Sequence, residues 1–304
     1  MNKTGWIIYN GNLQSEKFID FAQMLQEAAT RKSSKTTIYR NNDLLTFLSS
    51  DQLTIKNNKD KELPDYVLFT DKDLYLAKQF ELLGIPVFNS SSAIEISDDK
   101  IATYQQLAKH QLPIPRTIIA PKIFVRNDQN PAYPKLDSII ETLDFPMIIK
   151  EAFGSFGEQV YLIHNEGQLK QKIDELQGKA YIFQEFISSS FGKDLRLQVV
   201  GDKVVAAMKR FSSNDFRANV TAGGTMEAYE PTDIEKKLAI QATKAIGADF
   251  AGVDLLLDPH DKPLICEVNS NAHIRNLLEC TSINAADDII EYILLQLNEV
   301  DPNE

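Results

Sequence analysis

The stretch LICEVNSN, Leu264–Asn271, sets a carboxylate and an amide into and just beyond an apolar run. If the run is a strand, its side chains alternate faces, so Glu267 and Asn269 point the same way. Two steps of roughly 3.3 Å then place two oxygen donors about 7 Å apart along one face. Two readings are open. Either the strand simply ends, with Glu267 toward solvent and Asn269 opening a turn, or one face carries an oxygen-rich edge.

The neighbouring run AGVDLLL, Ala251–Leu257, carries a third oxygen donor, Asp254. The turn residues Asp258-Pro259-His260-Asp261 join the two runs, so Ala251–Asn269 is expected to form a hairpin with Asp254, Glu267 and Asn269 on one face. Charged side chains are seldom buried without a partner. Three oxygen ligands on a sheet face suit a hard octahedral cation such as Mg²⁺. A zinc-like cluster is not suggested: His110, His164, His260 and His273 are scattered and read as surface or loop residues.

A second hairpin signature lies upstream. LRLQVVGDKVVAAMKRF has two apolar runs joined by Gly201-Asp202. From Ser190 to Val220 six basic residues (Lys193, Arg196, Lys203, Lys209, Arg210, Arg217) stand against three acidic ones (Asp194, Asp202, Asp215), although the whole chain carries a net charge of −11. Such a stretch points either to an anionic small ligand or to a sheet edge guarded by lysine. The overall charge argues against a general nucleic-acid surface.

A third hairpin is FPMIIKEAFGSFGEQVYLI, Phe145–Ile163, whose tip holds Gly154 and Gly157 around Ser155-Phe156. Glycines let backbone N–H groups approach phosphate oxygens, and Lys150 supplies charge nearby. No GK[ST] follows, so this is not a Walker loop, and a plain hairpin turn is the alternative. Between these hairpins, Gly167–Leu176, Asp233–Ile246 and Asn284–Leu297 read as helices, and YIFQEFI as a strand.

Residues 1–90 alternate strands (WIIYNG, TTIYR, DYVLFT, IPVFNS) with helices (15–30 and Asp73–Gly84), which implies a small parallel sheet with helices on its faces. Asp98–Gln111 is a further helix, followed by the strand LPIPRTIIA and a polar, proline-bearing segment to Leu143. The expected fold class is therefore α/β, with an α+β catalytic part. The 304 residues suffice for two or three compact units, and 43% hydrophobic with 25% charged residues is ordinary globular composition. No apolar run approaches the ~18 residues of a membrane span. MNKTGWIIYNGN lacks a secretory leader's apolar core, and Cys266 and Cys280 make no disulfide framework, so a cytoplasmic protein is expected.

Taken in order, DDKIATYQQLA, FPMIIKEAFGSFGEQV, IFQEFI, GKDLRLQVVGDKVVAAMKR, DFRANVTAGG, AGVDLLL and CEVNSN resemble an ATP-grasp ligase, and within that superfamily the RimK-type α-L-glutamate ligases. The resemblance covers Ser97 to about Asn271. It implies three units: a preceding βαβ domain over 1–96, a central lobe with the glycine loop over 97–187, and a C-terminal lobe with the metal edge over 188–304, with ATP clasped between the lobes. Lys100 and Lys150 would hold phosphates under a lid formed by Gly154, Ser155 and Gly157. The QEFI strand, Gln184–Ile187, would bind adenine, with Glu185 and Phe186 acting through their backbone, and Asp194 fits the ribose position. Arg217, Ala218 and Asn219 would reach phosphates or the reacting acyl group, and Arg196, Arg210, Arg217 and Asn219 are the catalytic candidates. Asp254, Glu267 and Asn269 would bind two Mg²⁺, for which Mn²⁺ can substitute.

The implied activity is ATP-dependent formation of a peptide or isopeptide bond through an acylphosphate. Glutamate or another amino acid would be joined to a small molecule, a peptide or a protein. A dipeptide ligase of another ATP-grasp type, or a nucleotide-binding regulator without turnover, are the alternatives. The implied partners are small-molecule carboxylate and amine substrates, with neither nucleic acid nor membrane, and a dimer or tetramer as the assembly. One departure stands out: residues 270–276 contain no glycine where the family usually has a small-residue loop with proline and glycine. That loop borders the acceptor site in the family, so Asn271 and Arg275 are the substrate candidates.

Overall fold

Apolar runs near the N-terminus become neighbours in one parallel sheet. The structure, a computed structural model, describes residues 3–13, 16–57, 62–122, 135–154, 157–218 and 223–299. Its first part runs β1 (Thr4–Tyr9), α1 (Glu16–Arg31), β2 (Lys35–Arg40), β3 (Leu45–Leu48), β4 (Leu53–Lys56), β5 (Tyr66–Phe69), α2 (Leu74–Leu82), β6 (Val87–Phe88) and α3 (Ser91–Asp98). The sheet order is β2-β1-β5-β6, all parallel. Ile7 and Leu68 pack with Phe21 and Leu25 of α1, while Trp6, Ile8, Val67 and Phe69 pack with Phe80 of α2. Burial on both faces is what a parallel sheet between helices requires.

The expected parallel βαβ arrangement is present, with three differences. The strand IPVFNS contracts to two residues. The β3–β4 hairpin had no clear signal, because LTFL is exposed along its whole length and shows no alternation to detect. The helix expected over Asp98–Gln111 forms as α4 (Lys100–Lys109), capped by Asp99, which accepts from the Ile101 amide at 2.8 Å, and it follows directly on α3, for which there was no expectation. The cap makes Lys100 the first residue of its helix.

The central part holds β7 (Thr117–Ile119), α5 (Leu136–Leu143), β8 (Met147–Glu151), β9 (Val160–Ile163), α6 (Glu166–Glu175) and β10 (Tyr181–Glu185). Its antiparallel sheet has the order β7-β10-β8-β9, so the glycine-tipped hairpin forms as expected. The strand LPIPRTIIA shortens to Thr117–Ile119, since Pro113 and Pro115 have no N–H to give a ladder.

The last part contains β11 (Lys193–Val200), β12 (Lys203–Phe211), β13 (Thr225–Ala228), α7 (Asp233–Ala245), β14 (Phe250–Leu257), β15 (Pro263–Asn269), α8 (Arg275–Thr281) and α9 (Ala285–Glu299). The sheet is antiparallel in the order β13-β12-β11-β14-β15. Leu238, Ala239 and Ala242 of α7 pack under Leu197 and Val253. On the other face, Ile289 and Ile293 of α9 join Val200, Met208 and Phe250 in one core with Phe21 and Leu25 of α1. The N-terminal sheet and the C-terminal lobe thus share buried apolar surface. Among the described residues, no helix is long and apolar enough to cross a membrane.

Candidate active site

Strand register builds the floor of the site. In β14 and β15, Asp254 lies opposite Glu267 and Gly252 opposite Asn269, with a register shift after Asp254. Cross-strand partners share a face, so the three oxygen donors are presented together. Arg196 of β11 lies opposite Asp254, and Asp194 lies opposite Arg210 of β12. One row of the sheet therefore reads Arg196, Asp254, Glu267, and the next holds Asp194 and Arg210.

Four of these side chains, all but Glu267, form a charge-balanced cluster. Arg196 grips Asp254 through Nε and Nη2, both at 2.7 Å, and Arg210 Nη2 adds a third bond at 2.9 Å. Arg210 also grips Asp194 bidentately at 2.7 and 2.6 Å. Burial would raise the Asp254 carboxyl, but the two guanidinium groups hold it below the usual carboxylate range. Asp194, under the same burial with one guanidinium and the charge of Asp254 beside it, is pushed up. Arg210 is 5% exposed and Arg196 stands beneath the pocket, so both are committed to the floor.

Above this floor is a pocket between the central and C-terminal sheets. Part of its lining is cationic. Lys150 is buried and donates to the Tyr104 hydroxyl at 3.2 Å, which in turn donates to the Cys266 carbonyl at 2.6 Å. Burial works against the Lys150 charge, but Cys266, Tyr104 and Glu267 outweigh it and its pKa rises. Burial lowers Lys100, with Lys150 nearby, against the pull of Glu267. Lys100 Nζ donates to the Gly154 carbonyl at 3.1 Å, and Arg217 Nη1 donates to the Gly157 carbonyl. Both ends of the glycine turn are thereby tied to cations. Gly157 itself sits at φ +74°, a conformation that favours glycine.

The lining also includes the apolar side chains Ile148, Val160, Leu256 and Phe216, of which Val160 is the cross-strand partner of Lys150 and Phe216 lies under the Arg217 guanidinium. Phe186 packs edge-on to Phe216 and Phe191 at 6.5 and 6.3 Å between centroids. The Glu185 side chain is turned onto Arg116, with contacts of 3.1 and 3.2 Å. Gln184 is buried and donates to Thr117 Oγ1 at 2.8 Å.

Of the residues singled out in the sequence, the pocket gathers Lys100, Lys150, Gly154, Gly157, Gln184–Ile187, Asp194, Arg217, Ala218, Asp254 and Glu267. Ser155 and Asn219 lie outside the described residues. Sequence reasoning missed Tyr104, which reads as an ordinary apolar-face residue of α4, and the apolar walls, which look like any strand residue.

Residues 270–276 lead away from the pocket and bind the N-terminal sheet. Gly252 makes the passage possible: a Cβ there would lie 2.4 Å from the Ala272 Cβ. Ser270 accepts from the Asn89 side chain at 2.9 Å, and Asn271 Nδ2 donates to the Asp71 carbonyl at 2.6 Å. His273 meets Phe18 edge to face at 5.1 Å between centroids, and Arg275 pairs with Asp20 of α1 at 2.5 and 3.0 Å. Arg275 therefore stands outside the pocket, bracing α8 against α1.

The donors suit a divalent cation in a specific way. An ionised carboxylate offers about four lone-pair sites, and guanidinium N–H groups use three of those on Asp254. Among the described residues, nothing donates a hydrogen bond to the Glu267 carboxylate, which lines the pocket. Glu267 thus presents a carboxylate that could take a cation, with Asn269 two residues on along the same face and one Asp254 position remaining.

A model of the RimK-like ATP-grasp domain matches residues 97–293. Probable alpha-L-glutamate ligase 1 of Shewanella sp. (strain W3-18-1) is 39% identical over 72% of this chain and 70% of that protein. The uncharacterized MG012 homolog of Mycoplasma pneumoniae is 33% identical over 83% of this chain and 85% of that one. D-alanine–D-alanine ligase from Bacillus anthracis complexed with ATP superposes with a TM-score of 0.70 at 14% identity, covering 98% of both chains. ATP-grasp ligase PsnB complexed with minimal precursor, Mg and ADP gives 0.70 at 16% identity, covering 97% of this chain and 98% of that one. At such identities the structural likeness carries the fold, which is ATP-grasp. With the domain match covering the whole cleft, the chain belongs to the RimK-like ATP-grasp family of ligases.

Proposed function

We propose that this protein is an ATP- and Mg²⁺-dependent carboxylate–amine ligase of the cytoplasm, joining glutamate or another amino acid to a small-molecule or peptide substrate. The observation that carries this reading is the make-up of one cleft. Lys100, Lys150 and Arg217 line it together with the apolar side chains of Ile148, Val160, Leu256 and Phe216 and the carboxylate of Glu267. The name of the Shewanella relative supports glutamate as the first candidate.

A carboxylate does not condense with an amine at neutral pH, because its leaving group would be an oxide. Attack of a carboxylate oxygen on the γ-phosphorus of ATP releases ADP and leaves an acylphosphate. The amine nitrogen then attacks the acyl carbon, the C–O bond to phosphate breaks, and the nitrogen sheds its surplus proton. Lys100 and Lys150 would offset phosphate charge, and Arg217 would reach the transferring group or the oxyanion. Gln184–Ile187 would border the adenine, with Asp194 toward the ribose. Asp254, Glu267 and Asn269 would hold Mg²⁺, which neutralises charge on the phosphoryl oxygens. The turn at Gly154–Gly157 would exclude water from the acylphosphate. Asn271 borders the second substrate, whereas Arg275 acts at one remove, through α1.

The test is to incubate the protein with ATP, Mg²⁺, hydroxylamine and a panel of carboxylates. The expected products are a hydroxamate, ADP and phosphate from at least one carboxylate. AMP and pyrophosphate, or no nucleotide consumption with any panel member, would overturn the reading.

A further inference from the structure

The Tyr104 hydroxyl stands where three strands of the cleft meet. The ring itself is ordinary core: Tyr104 is 4% exposed and shares one apolar cluster with Leu107, Ile182 and Val268. A phenylalanine would fill that place equally well. The oxygen does more. It accepts from Lys150 Nζ at 3.2 Å and donates to the Cys266 carbonyl at 2.6 Å, with Gln184 Oε1 at 3.3 Å. Lys150 belongs to β8, Gln184 to β10 and Cys266 to β15, and all three line the cleft.

The proton count fixes the direction of this chain. A phenol has one O–H. The shorter contact assigns it to the Cys266 carbonyl, which leaves the oxygen lone pairs to the Lys150 ammonium. Gln184 Nε2 is committed to Thr117 Oγ1 at 2.8 Å, so the amide turns its acceptor oxygen toward Tyr104 and does not compete for those lone pairs. The anchor is firm. Asp254 lies opposite Glu267 and Leu255 opposite Ile265, so Cys266 is the extra residue of a bulge, outside the ladder, and its carbonyl takes the tyrosine proton.

A lysine is a flexible four-carbon stem with a point charge at its end, so where the charge sits depends on what the ammonium touches. Lys150 is 7% exposed. Its contact with Cys266 Sγ, at 3.7 Å, is to a weak acceptor, whereas the Tyr104 oxygen is a good one. Tyr104 also stands four residues after Lys100, on the same side of α4. One capped helix thus sets both cleft lysines, Lys100 directly and Lys150 through the tyrosine.

We propose that Tyr104 is a positioning residue whose hydroxyl holds the Lys150 ammonium in place for the nucleotide phosphates. This rests on the ligase reading, in which Lys150 faces phosphate. Tyr104 itself does not line the cleft. It acts through Lys150, and removal of its oxygen frees the ammonium to turn away from the phosphates.

The test is titration calorimetry on the whole protein, with ADP and Mg²⁺ as one probe and adenosine as the other. Tyr104→Phe keeps the ring and removes the oxygen. It should weaken ADP binding about tenfold, roughly 1.4 kcal/mol, and leave adenosine, which carries no phosphate, unchanged within about twofold. Lys150→Met should weaken ADP by at least as much. In that background Tyr104→Phe should add less than about twofold, because the group it acts through is gone. Unchanged ADP affinity in Tyr104→Phe, an equal loss for adenosine, or the full loss repeated in the Lys150→Met background would overturn the proposal while leaving the ligase reading intact. The last two outcomes would make Tyr104 a packing residue only. No binding of ADP by the natural protein would sink the ligase reading and the proposal with it, and full ADP affinity in Lys150→Met would remove both Lys150 and Tyr104 from the phosphate site. If the phenylalanine variant does not fold, Tyr104→Met, which also lacks the hydroxyl, takes its place in every arm.

Discussion

Asp254 and Asp71 are both buried carboxylates, yet their surroundings differ. Asp254, 4% exposed, receives three guanidinium hydrogen bonds and is held in its charged form. Asp71 receives one amide bond from a side chain, keeps an unmet oxygen and is pushed toward its neutral form. The difference comes from how each place is built. In the C-terminal sheet, register sets an arginine opposite an aspartate and repeats the pairing one row on. At the N-terminal seam, loops from β1, β5 and β15 meet, and no ladder supplies a counter-charge. A sheet can satisfy its own charges, whereas at this seam Asp71 Oδ2 receives no hydrogen bond from the described residues.

Removing Arg210 strikes the satisfied side hardest. Arg210→Met leaves Asp194 without its guanidinium and Asp254 with only one, so we expect a loss of about 3–5 kcal/mol of stability. Urea unfolding measures it, and a loss below about 1 kcal/mol, the range of an exposed pair, would break the comparison. Glu267→Gln follows. The side chain accepts no hydrogen bond from the described residues, so the fold should hold while turnover falls by a factor of hundreds, roughly 3–4 kcal/mol on the barrier. Turnover like that of the natural protein at limiting Mg²⁺ would remove Glu267 from the metal edge.

Asp71→Asn sharpens the other side. Relief of an unpaired buried charge should stabilise the ligand-free protein by about 1–3 kcal/mol at neutral pH. Because the folded pKa of Asp71 lies above its unfolded value, its cost is fully present at neutral pH. That cost fades as pH falls through the folded value to the unfolded one, near 3.9 or about pH 4. The advantage of the variant should therefore shrink on acidification, and an advantage that grows toward pH 4 would contradict the assignment. Arg275→Met should have the smallest effect, about 0.2–1 kcal/mol, since its pair with Asp20 is partly exposed. A tenfold rise in KM for one substrate, with that for ATP unchanged, would instead bring Arg275 into substrate binding.

The three hairpins were readable because each combines apolar runs with a turn signal, and ladder register did the rest. Asp194, Lys150 and Glu267 meet in the cleft because each sits in such a hairpin. Lys100 was legible too, in the first turn of the helix expected from Asp98, and only the helix α3 directly before it went unread. Tyr104 and the walls Ile148, Val160, Leu256 and Phe216 had no local mark, since packing apolar side chains looks the same in sequence whether they face a core or a ligand. The helix α8 and strand β13 were missed for a simpler reason, their brevity: 7 and 4 residues.

By itself, the sequence determined the strand-turn-strand units, the capped helices and the set of charged residue types, because these depend on interactions between residues close along the chain. It also determined, through the order of its motifs, the resemblance to a nucleotide-dependent ligase. The tertiary structure decided which charges neutralise one another and which stay open. Arg196 and Arg210 are taken up by Asp254 and Asp194, Arg275 by Asp20, while among the described residues none donates a hydrogen bond to the Glu267 carboxylate or to Asp71 Oδ2. The reason is physical: a charge is satisfied by whatever lies within about 3 Å in space, and only the folded chain brings residues 71 and 271 together.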